Sequence, residues 1–178
     1  MNIPTLTTPR LILRPWTPQD VDALFTLLQE DNLLRYFLRT TPPPIEQVGK
    51  YITRHLSHWE ERGYGHWAVV TRAEQKLIGW NGLEFLPETS ETKIAYLLSK
   101  SFWGQGLAAK AAQAALKFGF EHAGLERIIG LVHPENIASR RVLEKCGLRL
   151  IDRQVHFGME LLRFRIENHS QEFGGRMR

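Results

Sequence analysis

The sequence predicts an α+β fold of α/β/α layers, in which a mixed, mostly antiparallel sheet carries helices on both faces. Strand patterns at residues 65–71, 77–85 and 92–99 are joined by short polar turns, and strands joined in this way pair antiparallel. A helix pattern at residues 106–122 then separates the third strand from a strand at 127–132. Because a strand–helix–strand crossover gives a parallel pair, the sheet is expected to be mixed.

One strand and two helices precede these elements. Residues 10–16 alternate apolar and basic side chains, as half-buried strands do. Thr17 followed by Pro18 predicts a helix that begins at the proline and runs to about Asp31, since proline is favoured at the first helical position.

Three prolines at residues 42–44 then interrupt the chain. The amphipathic pattern that follows predicts a helix over residues 45–62, and Gly63 supplies its C-terminal stop.

The last part of the chain completes the sheet. A helix is predicted at residues 136–145, and strands are predicted at 148–156 and 160–167. With no internal repeat and no long linker, residues 1–167 are expected to form one domain, and residues 168–178 a polar, frayed tail.

Composition is that of an ordinary globular domain. The 178 residues are 43% hydrophobic and 24% charged, and no apolar run is long enough to cross a bilayer. The polar start is not a signal peptide, and the single Cys146 permits no internal disulfide. We therefore expect a cytoplasmic monomer or homodimer without membrane contact.

Charge is distributed unevenly along the chain. Residues 1–90 hold 9 Lys and Arg against 10 Asp and Glu, whereas residues 91–178 hold 14 against 9. The basic half suits an anionic ligand. Nucleic acid is not expected, because no basic cluster is interleaved with aromatic residues.

A glycine turn in this basic half is the main functional signal. It lies between the end of the strand at 92–99 and the start of the helix at 106–122, in the segment Trp103, Gly104, Gln105, Gly106, Leu107, Ala108, Ala109. Backbone N–H groups converge in such a turn, and the helix N-terminus adds partial positive charge. The segment therefore predicts a phosphate or pyrophosphate site.

Two other phosphate-binding motifs fit less well. The loose pattern G-x-G-x-x-A also occurs in dinucleotide-binding domains, but Glu126 falls at the start of the next strand rather than at its end. A Walker loop is excluded because no Gly-Lys-Ser/Thr follows the glycines.

Four blocks in a fixed order resemble the GNAT superfamily of acetyl-CoA-dependent N-acetyltransferases, and within it the ribosomal-protein N-terminal acetyltransferases of the RimJ/RimL type. The blocks are residues 8–16, 94–99, 102–108 and 136–147. One departure is chemically important. The Glu-Ile-Gly-Tyr often seen on the middle strand of this family begins here with Lys93, so one carboxylate is lost.

The resemblance implies where the co-substrate acetyl-CoA binds. Strands near Tyr96 and Ile129 are expected to splay and to admit it, with a bulge around Leu97 and Leu98 freeing backbone groups for the pantetheine amides. Its other expected contacts are the loop residues Trp103, Gly104, Gln105, Gly106, Leu107, Ala108 and Ala109, together with Asn136. Asn136 has an alternative role as a plain helix cap.

The resemblance also implies catalytic roles. The N–H near Leu98 would polarise the thioester carbonyl, and Ser139 would stand near the sulfur as proton donor or hydrogen-bond partner. Tyr96 could serve as the acid in place of Ser139. Ser139 is otherwise an ordinary first-turn residue. Glu84 is the candidate general base, although a strand glutamate is more often merely solvated.

An acceptor amine is the remaining partner. Residues 32–45, the strand around Trp80 and Asn81, and the turn at residues 157–159 are expected to form its site. No His or Glu spacing predicts a metal. Because no base is evident, an α-amine is favoured, since about a quarter of it is neutral near pH 7.4, against about one in a thousand of lysine side chains.

The alternatives that remain are acetylation of a small-molecule amine, such as a polyamine, aminoglycoside or amino acid, and a non-catalytic acyl-CoA-binding domain.

Overall fold

The computed structural model describes residues 2–168, and these form one sheet flanked by four helices. The strands are β1 (Leu6–Thr7), β2 (Leu11–Arg14), β3 (His66–Thr71), β4 (Leu77–Leu86), β5 (Glu91–Leu98), β6 (Arg127–Val132), β7 (Arg149–His156) and β8 (Met159–Glu167). The helices are α1 (Asp20–Leu28), α2 (Ile45–Arg62), α3 (Leu107–Glu121) and α4 (Ile137–Lys145).

The strand order in the sheet is β1-β2-β3-β4-β5-β6-β8-β7. Every neighbouring pair is antiparallel except β5 and β6, which are parallel and joined through α3. The prediction of a mixed, mostly antiparallel sheet is therefore confirmed.

Helices cover both faces of this sheet. On one face, α1 and α2 enclose a core that contains Trp16, Ile52, Trp80 and Leu97. On the other face, α3 and α4 enclose a larger core around Trp67, in which four alanines of α3 let the helix lie close to the strands. Adjacent residues on β4 and β5 thus face different helices, because side chains alternate along a strand.

The predicted bounds of α1 are wrong at both ends. The helix begins at Asp20 rather than Pro18, because the Asp20 carboxylate turns back to accept from the Thr17 N–H at 2.8 Å and pairs with Arg14 of β2 at 2.6 Å. It ends at Leu28, and a few residues later Asn32 has a φ of 58° that no continuing helix can contain.

The other helices agree closely with the sequence. α2 spans the predicted residues and stops at Gly63, whose φ of 75° is left-handed. α3 begins one residue later than predicted, since Gly106 is also left-handed, with a φ of 74°, and forms its N-cap.

The sequence did not reveal two short elements, β1 and a 3-10 turn at Lys100–Phe102. Of the predicted tail, Asn168 donates its N–H to Glu126 O at 2.8 Å, and residues 169–178 lie outside the described residues.

Candidate active site

An opening between β5 and β6 is the centre of the candidate site. The two strands form register pairs only at Lys93–Ile129 and Ile94–Gly130, although β5 continues to Leu98 and β6 to Val132. Beyond these pairs the strands separate, so backbone groups of β5 on that side face an opening instead of a neighbour. The expected splay is present.

The expected bulge at Leu97 and Leu98 is absent, since β5 pairs with β4 without a register shift from Glu91 to Leu98. The irregularity lies on β4, at Ile78, in its pairing with β3. Ser99 N–H donates to Ile78 O of β4 at 2.8 Å. Because successive N–H groups along a strand point to opposite sides, the Leu98 N–H points away from β4 and into the opening. The separation of β6, and not a bulge, leaves this group free of the sheet.

The glycine loop borders the wide end of the opening. Gly104 and Gly106 have left-handed φ values of 73° and 74°. Apart from their chain neighbours, no atom of the described residues lies within 4 Å of where a Cβ would stand on either. The first N–H groups of α3 have no acceptor within the helix and, with the helix dipole, favour an anion here. The donors and the open space fit a pyrophosphate.

Two contacts hold the loop in place. The Trp103 indole Nε1 donates to Leu98 O at 2.7 Å, which ties the loop to the end of β5. The Arg10 guanidinium, from the residue preceding β2, donates to Gln105 O at 2.5 Å. Arg10 therefore adds positive charge beside the loop, a contribution that the sequence alone did not indicate.

Asn136 and Ser139 occupy the start of α4, across the opening from β5. The Asn136 Oδ1 accepts from the Ser139 N–H at 3.1 Å, so Asn136 does act as a helix cap. Its Nδ2 group is not used by that bond. The cap also fixes Ser139 in the first turn, where its hydroxyl meets β5.

Tyr96 and Ser139, predicted as alternative proton donors, are in direct contact. The Tyr96 hydroxyl lies 3.0 Å from Ser139 O and 2.9 Å from Ser139 Oγ. Both contacts are satisfied when Tyr96 donates to the carbonyl and the Ser139 hydroxyl donates to Tyr96. Burial raises the pKa of Tyr96, so the phenol stays protonated and the two hydroxyls form one proton-bearing unit.

Trp80 and Asn81, predicted together as substrate residues, are separated by the sheet. Trp80 faces α2, whereas Asn81 is fully buried on the α3 face, directly across from Tyr96. Within residues 2–168 neither amide atom of Asn81 has a hydrogen-bond partner. The alternation of side chains along β4 makes a shared role on one face impossible.

The other expected acceptor segments do converge on the α2 face. The Phe37 ring lies 6.2 Å from the Trp80 ring, and the Phe157 ring, on the β7–β8 turn, lies 5.5 Å from Lys93 Nζ. Tyr36 stacks at 5.2 Å on His133, the residue that follows β6. The sequence carried no signal for that stacking, since the two residues are far apart in the chain.

Glu84, the candidate base, is on this α2 face and not with Tyr96 and Ser139. Its carboxylate lies 3.2 Å from Lys93 Nζ and 3.9 Å from the Arg54 guanidinium. Burial opposes its ionisation, but the charges of Lys93 and Arg54 outweigh burial and keep the pKa of Glu84 below its ordinary value. Glu84 is therefore a carboxylate with little tendency to take a proton.

Two buried histidines pack under Trp80 on the α2 face of the sheet, the face of the expected acceptor residues, which we call the acceptor side. His55 and His66 stack at 3.8 Å, His66 stacks on Trp80 at 4.7 Å, and the Tyr51 hydroxyl bonds His66 Nδ1 at 2.9 Å. Burial lowers the pKa of both histidines, and the neighbouring imidazole and the Lys93 charge lower these values further. Both rings are neutral and hold Trp80 in place.

Neither a metal centre nor a membrane span is found in the part of the chain that the structure describes. No three His, Cys, Asp or Glu side chains of residues 2–168 are grouped so that they could hold a metal ion. None of the helices there is long and apolar enough to cross a bilayer.

A family model described as an acetyltransferase (GNAT) domain matches residues 10–149. The chain belongs to the GNAT acetyltransferase family. Members of this family are acetyltransferases that use acetyl-CoA, so the chain is an acetyltransferase enzyme. The opening, the glycine loop and the start of α4 are the parts of this GNAT domain that suit that co-substrate.

Relatives and solved structures agree with this assignment. An uncharacterised N-acetyltransferase of Bacillus subtilis, YoaA, is 32% identical over 147 residues, which cover 82% of this chain and 83% of the relative. An acetyltransferase from Agrobacterium tumefaciens has a TM-score of 0.83 at 27% identity, over 94% of this chain and 96% of that one. RimL, described as a ribosomal-protein α-N-acetyltransferase in complex with coenzyme A, has a TM-score of 0.77 at 19% identity, over 93% and 97%, and shows the same fold.

Replacing Gly106 by valine is expected to abolish tight acetyl-CoA binding, because the side chain would occupy the space in front of the α3 N–H groups. Loss of hydrogen bonds to a charged group predicts a dissociation constant raised by about 10- to 100-fold. Isothermal titration measures it. Gly63→Val is the matched control, since Gly63 has nearly the same φ of 75° and equally open surroundings far from the loop. Equal affinities in both variants would remove the loop from the site.

The neutral histidine stack predicts a stability that depends on pH. Below the ordinary histidine pKa of 6.5, His55 and His66 bind protons in the unfolded chain but not in the native state. The free energy of unfolding therefore falls as pH falls. For His55 and His66 together we expect a loss of about 2–3 kcal/mol between about pH 7.5 and 5.5, measured by urea unfolding.

Two variants identify the source of this loss. His55→Gln should about halve it, whereas His122→Gln, at an exposed site, should leave it unchanged. A loss of equal size in His55→Gln and the wild type would show that other groups cause it.

Proposed function

We propose that this acetyltransferase transfers the acetyl group of acetyl-CoA to the α-amine at the N-terminus of a protein or peptide. The amine nitrogen attacks the thioester carbonyl carbon, the carbon–sulfur bond breaks, and the products are an N-acetyl amide and the coenzyme A thiol. The excess proton on the amine leaves, and the sulfur takes up a proton.

The weak basicity of Glu84 is the observation that favours an α-amine as the acceptor. Glu84 is the candidate base on the α2 face, and its ion pairs with Lys93 and Arg54 make it a poor base. A lysine acceptor, with a pKa of about 10.4, needs strong help to lose its proton, whereas an α-amine with a pKa of about 8 needs little. A site with a weak base therefore favours the α-amine.

The fold likeness to RimL, whose described activity is on protein α-amines, supports the same choice at the level of fold. Membership of the ribosomal-protein N-terminal branch is part of this proposal. Small-molecule amines are the alternative acceptors, and no particular contact in the site favours them.

The residues around the opening divide the reaction between them. The Leu98 N–H, aimed into the opening, is placed to stabilise negative charge that develops on the carbonyl oxygen. Asn136 Nδ2 and the backbone of Leu97 and Leu98 would hold the pantetheine arm. The loop residues 103–109 would hold the pyrophosphate.

Ser139 and Tyr96 would protonate the departing sulfur as a pair. Tyr96 can turn its proton from Ser139 O to Ser139 Oγ and pass it there as the serine proton moves to the thiolate, after which solvent returns a proton to Tyr96. Burial raises the pKa of Tyr96, so the phenol is protonated at the start of each turnover. This paired donor also argues against a non-catalytic acyl-CoA-binding domain, which has no need of one.

Removing either hydroxyl of this pair should lower kcat. Ser139→Ala is expected to reduce it by about 10- to 1000-fold with little change in acetyl-CoA affinity, since general acid help is worth about that much. Tyr96→Phe should act in the same direction, and the double variant should be little worse than the poorer single one because the two hydroxyls act as one unit.

Controls for this pair are available in the same chain. Tyr64→Phe removes a hydrogen bond of similar length, 2.8 Å to Thr92, away from the opening, and Ser57→Ala removes an exposed hydroxyl on α2. Both should keep wild-type turnover, followed as release of free thiol. Wild-type turnover in Ser139→Ala and Tyr96→Phe would show that solvent, and not this pair, supplies the proton that the departing sulfur takes up.

The acceptor prediction is tested with two peptides of equal length. One has its N-terminus as the only amine, and the other is N-blocked and has one lysine. Mass spectrometry should find acetylation of the first at a rate at least about 10-fold above the second, given their neutral amine fractions. Preference for the blocked lysine peptide would contradict the α-amine assignment and would point to an active base at Glu84.

A further inference from the structure

Lys93 occupies the point at which β5 and β6 stop pairing, on the face that carries the acceptor side. It is directly opposite Glu84 on β4 and directly beside Ile129 on β6. Its side chain, like that of Glu84, is only about one-fifth exposed, at 20% and 23%. A charged group here is partly shielded from water, so its interactions are stronger than those of a surface lysine.

Lys93, Arg54 and Glu84 form a cluster in which two cations share one carboxylate. The next carboxylate on the same face of β5, Glu91, is paired with Arg163. Arg163 also lies 3.4 Å from Asp152, so this neighbouring cluster has the opposite ratio, two carboxylates to one cation.

The other titratable groups packed around Lys93 do not restore balance. His55 on α2 and His66 on β3 are neutral, because burial lowers the pKa of both, and burial raises the pKa of Tyr51 on α2, which is neutral as well. The Phe157 ring covers Lys93 from the β7–β8 turn. Among the described residues, one cation of the Lys93–Arg54–Glu84 cluster therefore remains without a carboxylate partner of its own.

The position of Lys93 corresponds to a place in an extended acceptor. Ala95 and Leu97 are the next residues of β5 on the same face, and each step of two residues is about 6.6 Å. An amine that meets the acetyl group level with Tyr96 and Leu97 would place the fourth or fifth residue of its own extended chain level with Lys93. An open groove of about 720 Å³ lies at the end of the sheet where β5 and β6 begin, and its lining includes Glu91, Arg127 and Arg163.

We propose that Lys93, together with Arg54, recognises a carboxylate at the fourth or fifth residue of the acceptor, so that the preferred substrates are N-terminal segments with an acidic residue there. This rests on the proposed α-amine activity. Lys93 is then a specificity residue that attracts an acidic segment and repels a basic one. The acetyl transfer takes place further along β5, beside Tyr96–Leu98.

The test compares three peptides that share their first three residues, beginning with serine, and differ at the fourth and fifth residues, which are Glu-Glu, Gln-Gln or Lys-Lys. For the wild type we expect kcat/KM to fall in that order, with about 10-fold between the first and the last. The preference should weaken between about 50 and 300 mM NaCl as the charges are screened. Neighbouring charge acts oppositely on the neutral fraction of the amine, so it does not produce this order.

Two variants of the ion pair should move the ratio of Glu-Glu to Lys-Lys rates in opposite directions. Lys93→Gln should reduce it to less than about 3-fold, and Glu84→Gln should increase it. The ratio cancels any effect of these variants on the chemical step itself. Lys117→Gln, at an exposed site on α3, is the matched control and should keep the wild-type ratio.

The outcomes separate this inference from the activity on which it rests. Equal rates on the three peptides, a preference for the basic peptide, or an unchanged ratio in Lys93→Gln would overturn the role of Lys93 and leave the α-amine activity intact. Turnover of a polyamine such as spermidine with none of the three peptides acetylated would overturn the α-amine proposal and this inference with it.

Discussion

β5 and β6 share two register pairs, at Lys93–Ile129 and Ile94–Gly130, and then separate, and the candidate site is built on that separation. The helices on the far face explain it. α3 packs on β4 and β5, whereas α4 packs on β6, where Leu143 fills the space above Gly130 so closely that a Cβ there would lie 2.7 Å from it. Each strand is thus held by its own helix, and the backbone of β5 beyond Ile94 is left facing an opening with its Leu98 N–H available.

The alternation of side chains on β4 and β5 then divides the chemistry between two faces. Tyr96 faces α4 and meets Ser139, where a proton donor for the sulfur is needed. Lys93 and Glu84 face α2, where an acceptor would approach. One strand therefore supplies donor groups to one side of the opening and charge to the other. This separation explains why Glu84 and Ser139, both candidates for catalysis, do not contact each other.

A stack of three aromatic rings supports the acceptor side of the sheet. The stack of His55, His66 and Trp80 is closely parallel, with interplanar angles of 11° and 10°, and the Tyr51 hydroxyl fixes His66 within it. Neutral imidazoles can pack in such a stack because they carry no charge that burial would penalise. The arrangement holds Trp80 against Phe37, and so links the loop between α1 and α2 to the sheet.

The sequence by itself determined the order and type of the main elements, the glycine loop and the family, because these depend on local patterns: alternation, Gly63 as a helix stop, and the glycines at 104 and 106. It also identified Tyr96, Ser139 and Asn136 by motif. Tertiary structure alone decided what these groups do to one another. The Asp20 carboxylate moved the start of α1, the divergence of β6 replaced the expected bulge, Asn81 was turned away from Trp80, and Lys93 weakened Glu84 as a base. Each depends on contacts between residues distant in the chain, or on which face of a strand meets which helix, and neither is encoded in a short stretch of sequence.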